Sequence, residues 1–221
     1  MHFSTLKELM RSRFERPKTE KEYQKILQYL SDQGLVIGNL YQELEMSSSP
    51  VSFHSDISYV RQSIALHSHS FYEIMLCRSA DRVEYLVGSN RYRIGTGDII
   101  LVAPGVSHKP VLPDDMQYAY ERDILWVSAE LIERAAVLFS DMPVGELASV
   151  SILRTKGTEW SYICDYFADG LREFADMQLG YEASATSIAM LILAHLCRAV
   201  SAEGAHRSTA LQPTLVTSFI E

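Results

Sequence analysis

Between Val51 and Val127 short apolar runs are broken again and again by tight turns, and this punctuation constrains the fold more than any other feature of the chain. Val83 to Val87 and Tyr92 to Ile94 flank Gly88-Ser89-Asn90, the pattern of a β-hairpin. Gly95-Thr96-Gly97-Asp98 reads as a second tight turn leading into Ile99 to Val102. Phe71 to Cys77 is apolar on both faces apart from Glu73, as expected for a strand covered on each side. Tyr118, Tyr120, Arg122, Ile124 and Trp126 alternate with other residues along a returning strand. Many short strands joined by such turns predict a β-sandwich or barrel.

The polar residues within this region carry the chemistry. Side chains alternate along an extended strand, so His67, His69 and Glu73 project to one side, with Phe71, Met75 and Cys77. Ligand-type groups among apolar neighbours on an inner face describe the lining of a small pocket. His108 adds a third imidazole, and His67, His69, Glu73 and His108 together could hold a divalent zinc, nickel, iron or manganese ion. Without a metal, Glu73 could pair with a protonated imidazole or bond a ligand hydroxyl. Tyr85, Tyr92, Tyr120, Arg122 and Trp126 are candidate ligand contacts, because aromatic faces stack on rings while phenol and guanidinium groups orient polar atoms. Aromatic residues in strands also serve as plain core pairs. Arg122 could equally hold Asp98 or Glu121. Gly95-x-Gly97 lacks the third glycine and following helix of a nucleotide loop and reads as a turn. No Ser-His-Asp or Cys-His pairing stands out, and Cys77 on its apolar strand reads as a buried thiol.

The flanking regions have the helical period. Residues 1–50 read as a helical extension and linker: Thr19-Glu20-Lys21-Glu22 fits a capping box, Tyr23, Ile26, Leu27 and Leu30 share a face, and Met46-Ser47-Ser48-Ser49-Pro50 is a break. Over 128–210, Ser128 can cap a helix from Ala129 to Phe139. Trp160, Ile163, Phe167, Leu171 and Phe174 form one stripe; Ile188, Leu191, Ile192, His195, Leu196 and Ala199 form another. Such stripes must be buried against the barrel, each other or a second subunit. In 211–221 a further apolar pattern begins and stops, as in a chain cut short.

With 47% apolar and 22% charged residues the chain can bury a core. A formal charge of −8 and the lack of a basic stripe speak against these 221 residues gripping DNA by themselves. No run of about eighteen apolar residues is expected to span a membrane. The first residues lack the apolar core of a secretion signal, and Cys77, Cys164 and Cys197 sit in apolar segments, which together predict reduced thiols and a cytoplasmic location.

His67-x-His69-x-x-x-Glu73, followed by Gly97-Asp98, Pro104-Gly105 and His108, resembles the two cupin motifs and, more narrowly, the N-terminal sensor domain of AraC-type transcription regulators. Tyr120 to Ser128 is similar to the strand leading into that family's first helix, and Leu211 to Ile220 to the start of its DNA-binding domain. The resemblance implies an α+β fold: a cupin-like jelly roll over 51–127, then amphipathic helices for dimerisation. It further implies a small-molecule effector, a sugar or small organic acid among the options, and DNA contact only through a helix-turn-helix domain downstream. The rival reading is a cupin-superfamily metalloenzyme, a dioxygenase or isomerase, using the three histidines and Glu73.

Overall fold

A computed structural model describes residue 46 and residues 49–58, 66–149 and 152–202. The expected N-terminal helix with its Thr19–Glu22 box, and the tail from Leu211, lie outside these residues. Eight strands form: β1 (Val51–Ser58), β2 (Tyr72–Ser79), β3 (Glu84–Val87), β4 (Asn90–Arg93), β5 (Asp98–Val102), β6 (His108–Val111), β7 (Tyr120–Val127) and β8 (Ile152–Arg154). They make a five-stranded sheet in the order β1-β7-β2-β5-β8 and a three-stranded sheet in the order β4-β3-β6, antiparallel throughout. Strand β8 lies beyond residue 127, so the large sheet extends past the boundary expected for the barrel.

Turn chemistry sets the registers. Val87 pairs with Asn90, so the β3–β4 turn is the two residues Gly88-Ser89 and Asn90 already belongs to the strand. Gly88 supplies the positive φ of +59° that this turn requires. Gly97 is held more tightly: its φ is +88°, and a Cβ there would sit 2.9 Å from Lys156 Cβ. The neighbouring Asp98 carboxylate is buried, accepts the Gly95 N–H at 2.8 Å and takes Arg154 Nη1 at 2.6 Å. Arg154 thereby ties β8 to the turn before β5, and its Nη2 also donates to the Arg93 carbonyl at 3.1 Å.

Alternation along β1, β2 and β7 gives the large sheet two apolar faces. Met75, Cys77, Ile100, Ile124 and Trp126 face Val83, Tyr85, Val87 and Tyr92 of the small sheet and its approach, filling the sandwich. Val51, Phe53, Ile74, Leu76, Leu125 and Val127 face the other way, toward three helices. These are α1 (Ala129–Leu138), α2 (Ile163–Asp176) and α3 (Tyr181–Ala202), with a 3-10 turn at Val144–Ser149 between the first two. Ser128 caps α1 as its sequence predicts, its Oγ accepting the Leu131 N–H at 3.2 Å. Ile163 and Phe167 of the first expected stripe are fully buried, and Trp160, Leu171 and Phe174 pack beside them.

The second stripe is redistributed. Ile192, Leu196 and Ala199 are buried, but Leu191 is 46% exposed, and Ala185, Ala189, Leu193 and Cys197 complete the packed face. Helix α3 is apolar around most of its girth, so periodicity alone could not choose its buried side. The expectation of no membrane-length apolar run also fails here. By length and composition α3 could cross a membrane, with mean hydropathy 1.6 over an 18-residue window. Its packed side nevertheless lies against β1, α2 and the 3-10 turn. All three cysteines are free thiols; Cys77 and Cys197 are buried and Cys164 is half-buried.

Candidate functional site

Strands β2 and β7 run side by side with Glu73 opposite Trp126, and both side chains turn into the sandwich. The indole Nε1–H donates to Glu73 Oε1 at 2.8 Å, which fixes one carboxylate oxygen. The other, Oε2, accepts from His108 Nε2 at 3.0 Å and lies 3.6 Å from His69 Nε2. His108 opens β6 on the small sheet, so this bond spans the two sheets. A pair of backbone hydrogen bonds between His67 and His108, at 3.2 and 2.9 Å, brings the His67 ring to 4.2 Å from the His108 ring. One ligand atom each from His67, Glu73 and His108 falls within 4.8 Å of the others. Of the four residues expected to converge, His67, Glu73 and His108 form this compact group, while His69 stands beside Glu73, 3.6 Å from its Oε2; His69, Glu73 and His108 are buried and His67 is half-buried.

Backbone carbonyls decide which ring nitrogens face the carboxylate. The Nδ1–H of His69 donates to the Phe71 carbonyl at 2.7 Å, and that of His108 to the Val106 carbonyl at 2.9 Å. A carbonyl only accepts, so each ring carries a proton on Nδ1 and presents Nε2 to Glu73. His108 Nε2 meets a carboxylate oxygen as well, so Glu73 and His108 form a polar contact between the two sheets. Burial acting alone would raise the Glu73 pKa. The His108 hydrogen bond, with His69 close by, outweighs it and holds the carboxyl well below its ordinary range.

The donor set fits a divalent metal. His69 Nε2 is buried with no hydrogen-bond partner, a situation that costs on the order of 1–3 kcal/mol unless a ligand uses the lone pair. Anchoring Nδ1 to a backbone carbonyl is also how metal-binding imidazoles are oriented. Trp126 occupies Glu73 Oε1, so the carboxylate can offer an ion Oε2 alone.

Of the remaining expected residues, Tyr85 stands closest to this cluster. Its ring stacks 6.2 Å from His108, and its buried hydroxyl meets only the Met75 thioether, at 3.3 Å. Burial, with Glu73 nearby, raises its pKa well above the phenol range. Tyr92 pairs with Tyr85 across β3–β4 and packs into the same apolar cluster. Tyr120 and Arg122 lie further along β7; four residues separate Arg122 from Trp126, about 13 Å at the usual strand rise. The guanidinium turns inward over the Tyr120 ring, 4.9 Å from its centroid. Its partners are Ser58 Oγ at 2.9 Å and Asp56 Oδ2 at 3.5 Å, rather than Asp98 or Glu121. The Tyr120 hydroxyl is fully buried and has no hydrogen-bond partner among the described residues.

Sequence reasoning missed β1. Ser52, His54, Asp56 and Ser58 stand at every second position of that strand and pair with β7. His54 packs its ring 4.6 Å from Trp126. The alternation itself was the available signal. A small cavity lies on the helix side of the large sheet, lined by Glu73, Ile74, Leu101, Ile132, Val144 and Leu193. At about 10 Å³ it holds one water at most, and none of the imidazoles lines it.

The sequence model of one family, described as an AraC-like ligand binding domain, matches residues 49–193. Among curated proteins none matches the chain. Solved structures with a similar fold include a Cupin 2 conserved barrel domain protein from Salinispora arenicola, 24% identical over 44% of this chain and 82% of that one, with a TM-score of 0.33. The plu4264 protein from Photorhabdus luminescens is 19% identical over 39% and 69% of the two chains, TM-score 0.33. The DMSP lyase DddQ from Ruegeria pomeroyi is 22% identical over 37% of this chain and 40% of that one, TM-score 0.33. The fold is the cupin-like α+β arrangement of two antiparallel sheets followed by helices.

Proposed function

This chain belongs to the family of AraC-like ligand-binding domains, and on that premise we propose that it is the effector-sensing and dimerisation part of a cytoplasmic transcription regulator. A small molecule enters the sandwich and contacts polar groups of its interior. The observation that carries this reading is the placement of Glu73, Trp126, Arg122 and Tyr120 on one face of strands whose other face, through Ile74, Leu125 and Val127, supports the helices. A ligand that orders the inner face shifts the population of helix arrangements on the outer face by its difference in affinity for them. DNA contact belongs to a helix-turn-helix domain outside this chain. The test is a thermal-shift screen of small metabolites against the whole chain: at least one neutral or anionic compound should raise Tm in a saturable way. A flat response across the screen would remove the sensing role.

A second copy of the chain covers α3. The helix has the hydropathy of a membrane span, yet only 39% of its apolar window is buried, and Leu191 stands on its outer side near Ile188 and His195. His195 is already engaged there, bonded to the Tyr162 hydroxyl at 2.7 Å and stacked on Tyr166. Sedimentation equilibrium should give a dimer, and Leu191→Glu should weaken it at least tenfold by placing a charge in an apolar contact. A monomer at all accessible concentrations removes the dimer from the proposal.

His67, His69, Glu73 and His108 would hold a divalent ion, which as a Lewis acid would polarise a coordinated ligand oxygen. After chelator treatment and dialysis, titration with Zn²⁺, Ni²⁺, Fe²⁺ and Mn²⁺ should show one equivalent bound per chain for at least one ion. His108→Ala should lower that affinity at least a hundredfold. The same donor set favours one alternative, a cupin metalloenzyme: protein purified with stoichiometric iron or manganese would support it over a sensor.

A further inference from the structure

Resting on the ligand-sensing reading, we propose that the effector is a small monocarboxylate whose carboxylate group docks at Arg122 and Tyr120, at the end of the sandwich remote from the imidazoles. The reason is an imbalance of hydrogen-bonding groups. Donors gather there: the Arg122 guanidinium with its fixed fork of N–H groups, one of which is taken by the Ser58 hydroxyl oxygen on β1, and the Tyr120 hydroxyl. Tyr85, one layer deeper, gives its hydroxyl proton only to a thioether, a weak acceptor. The acceptor facing Arg122 from β1 is Asp56, at a loose 3.5 Å. A ligand group that completes this end must therefore bring acceptors.

Charge narrows the class. Arg122 is paired with Asp56 and also feels the Glu73 carboxylate further in, so a monoanion that displaces the long Asp56 contact avoids crowding a doubly negative group onto one guanidinium. A phosphate dianion would crowd it in that way, and no second cationic side chain faces this end among the described residues. A carboxylate also matches the planar fork of arginine in a two-point contact. A polyol brings its own hydroxyl donors into a place short of acceptors. Access is at hand: the Asp56 and Arg122 side chains are 25% and 12% exposed, while Tyr120 behind them is fully buried.

Matched probes test the assignment by calorimetry and thermal shift on the full chain: benzoate against benzamide, hexanoate against hexanamide, and xylitol and sorbitol as neutral polyols. At least one carboxylate should bind and raise Tm while its amide does not. Tyr120→Phe should weaken that carboxylate about tenfold yet leave the Tm of the free protein unchanged or higher, because the hydroxyl has no partner among the described residues. That pairing of outcomes separates ligand contact from a structural role, which would lower the free Tm. Arg122→Lys, which keeps the charge but loses the fork, should weaken binding further. If an amide binds as well as its acid, if Tyr120→Phe binds as tightly as the parent, or if neither probe set binds, the carboxylate assignment is wrong. Polyol binding without carboxylate binding also overturns it, while leaving the sensing role intact.

Discussion

Glu73→Ala is expected to destabilise the domain by about 2–6 kcal/mol, because it leaves the buried His108 Nε2 and the Trp126 Nε1–H without their carboxylate partner, at roughly 1–3 kcal/mol for each. The effect reaches both sheets, since the His108 contact spans them. Urea denaturation of chelator-treated protein measures it directly. Acidity gives a second signature. The folded Glu73 carboxyl has its pKa held below its unfolded value, which lies near about 4.3. Its contribution is therefore complete above that unfolded value and is lost as the pH falls through the folded one. The stability gap between parent and Glu73→Ala should shrink as the pH falls below about 4.3. A gap that widens on acidification would contradict the ionised Glu73 carboxylate.

Gly170→Val should cost about 3 kcal/mol, the upper part of the range for forcing extra methyl groups into a packed core. A Cβ at this position of α2 would lie 2.4 Å from Phe53 Cε1 and 2.5 Å from Cζ. The Phe53 ring cannot swing aside easily, being fully buried with Phe167 at 6.4 Å and Phe174 at 6.1 Å. Gly170→Ala should cost less, because alanine recovers up to about 1 kcal/mol of helix preference. Adding Phe53→Leu to Gly170→Ala should restore part of the loss, giving a coupling that a double-mutant cycle resolves. Equal melting temperatures for parent and Gly170→Val would show that the helix stands further from the sheet than described.

Where the sequence pattern was strong, the fold followed it. Period-two alternation in β2 and β7 placed Glu73 and Trp126 on the inner face, and the glycine turns fixed the hairpins. That His67, Glu73 and His108 come together was legible from the motif spacing, although His67 and His69 precede β2 and meet the site through an isolated bridge and a bend rather than through strand parity. Three things were not legible, each for a physical reason. Strand β8 is only three residues long and is held by Arg154 on Asp98, a contact 56 residues apart that no local pattern encodes. The packed side of α3 depends on partners, not on its own nearly uniform apolarity. Arg122 offered several acidic partners by proximity in sequence, and only the β1–β7 register selects Asp56 and Ser58.

That register also divides β7 between two tasks at single-residue spacing. Tyr120, Arg122, Ile124 and Trp126 look inward, while Leu125 and Val127 bear the helices. Substitutions at one set can retune what the molecule recognises while the other set preserves its architecture, so new chemical tastes can evolve on this strand without first dismantling the scaffold that transmits them.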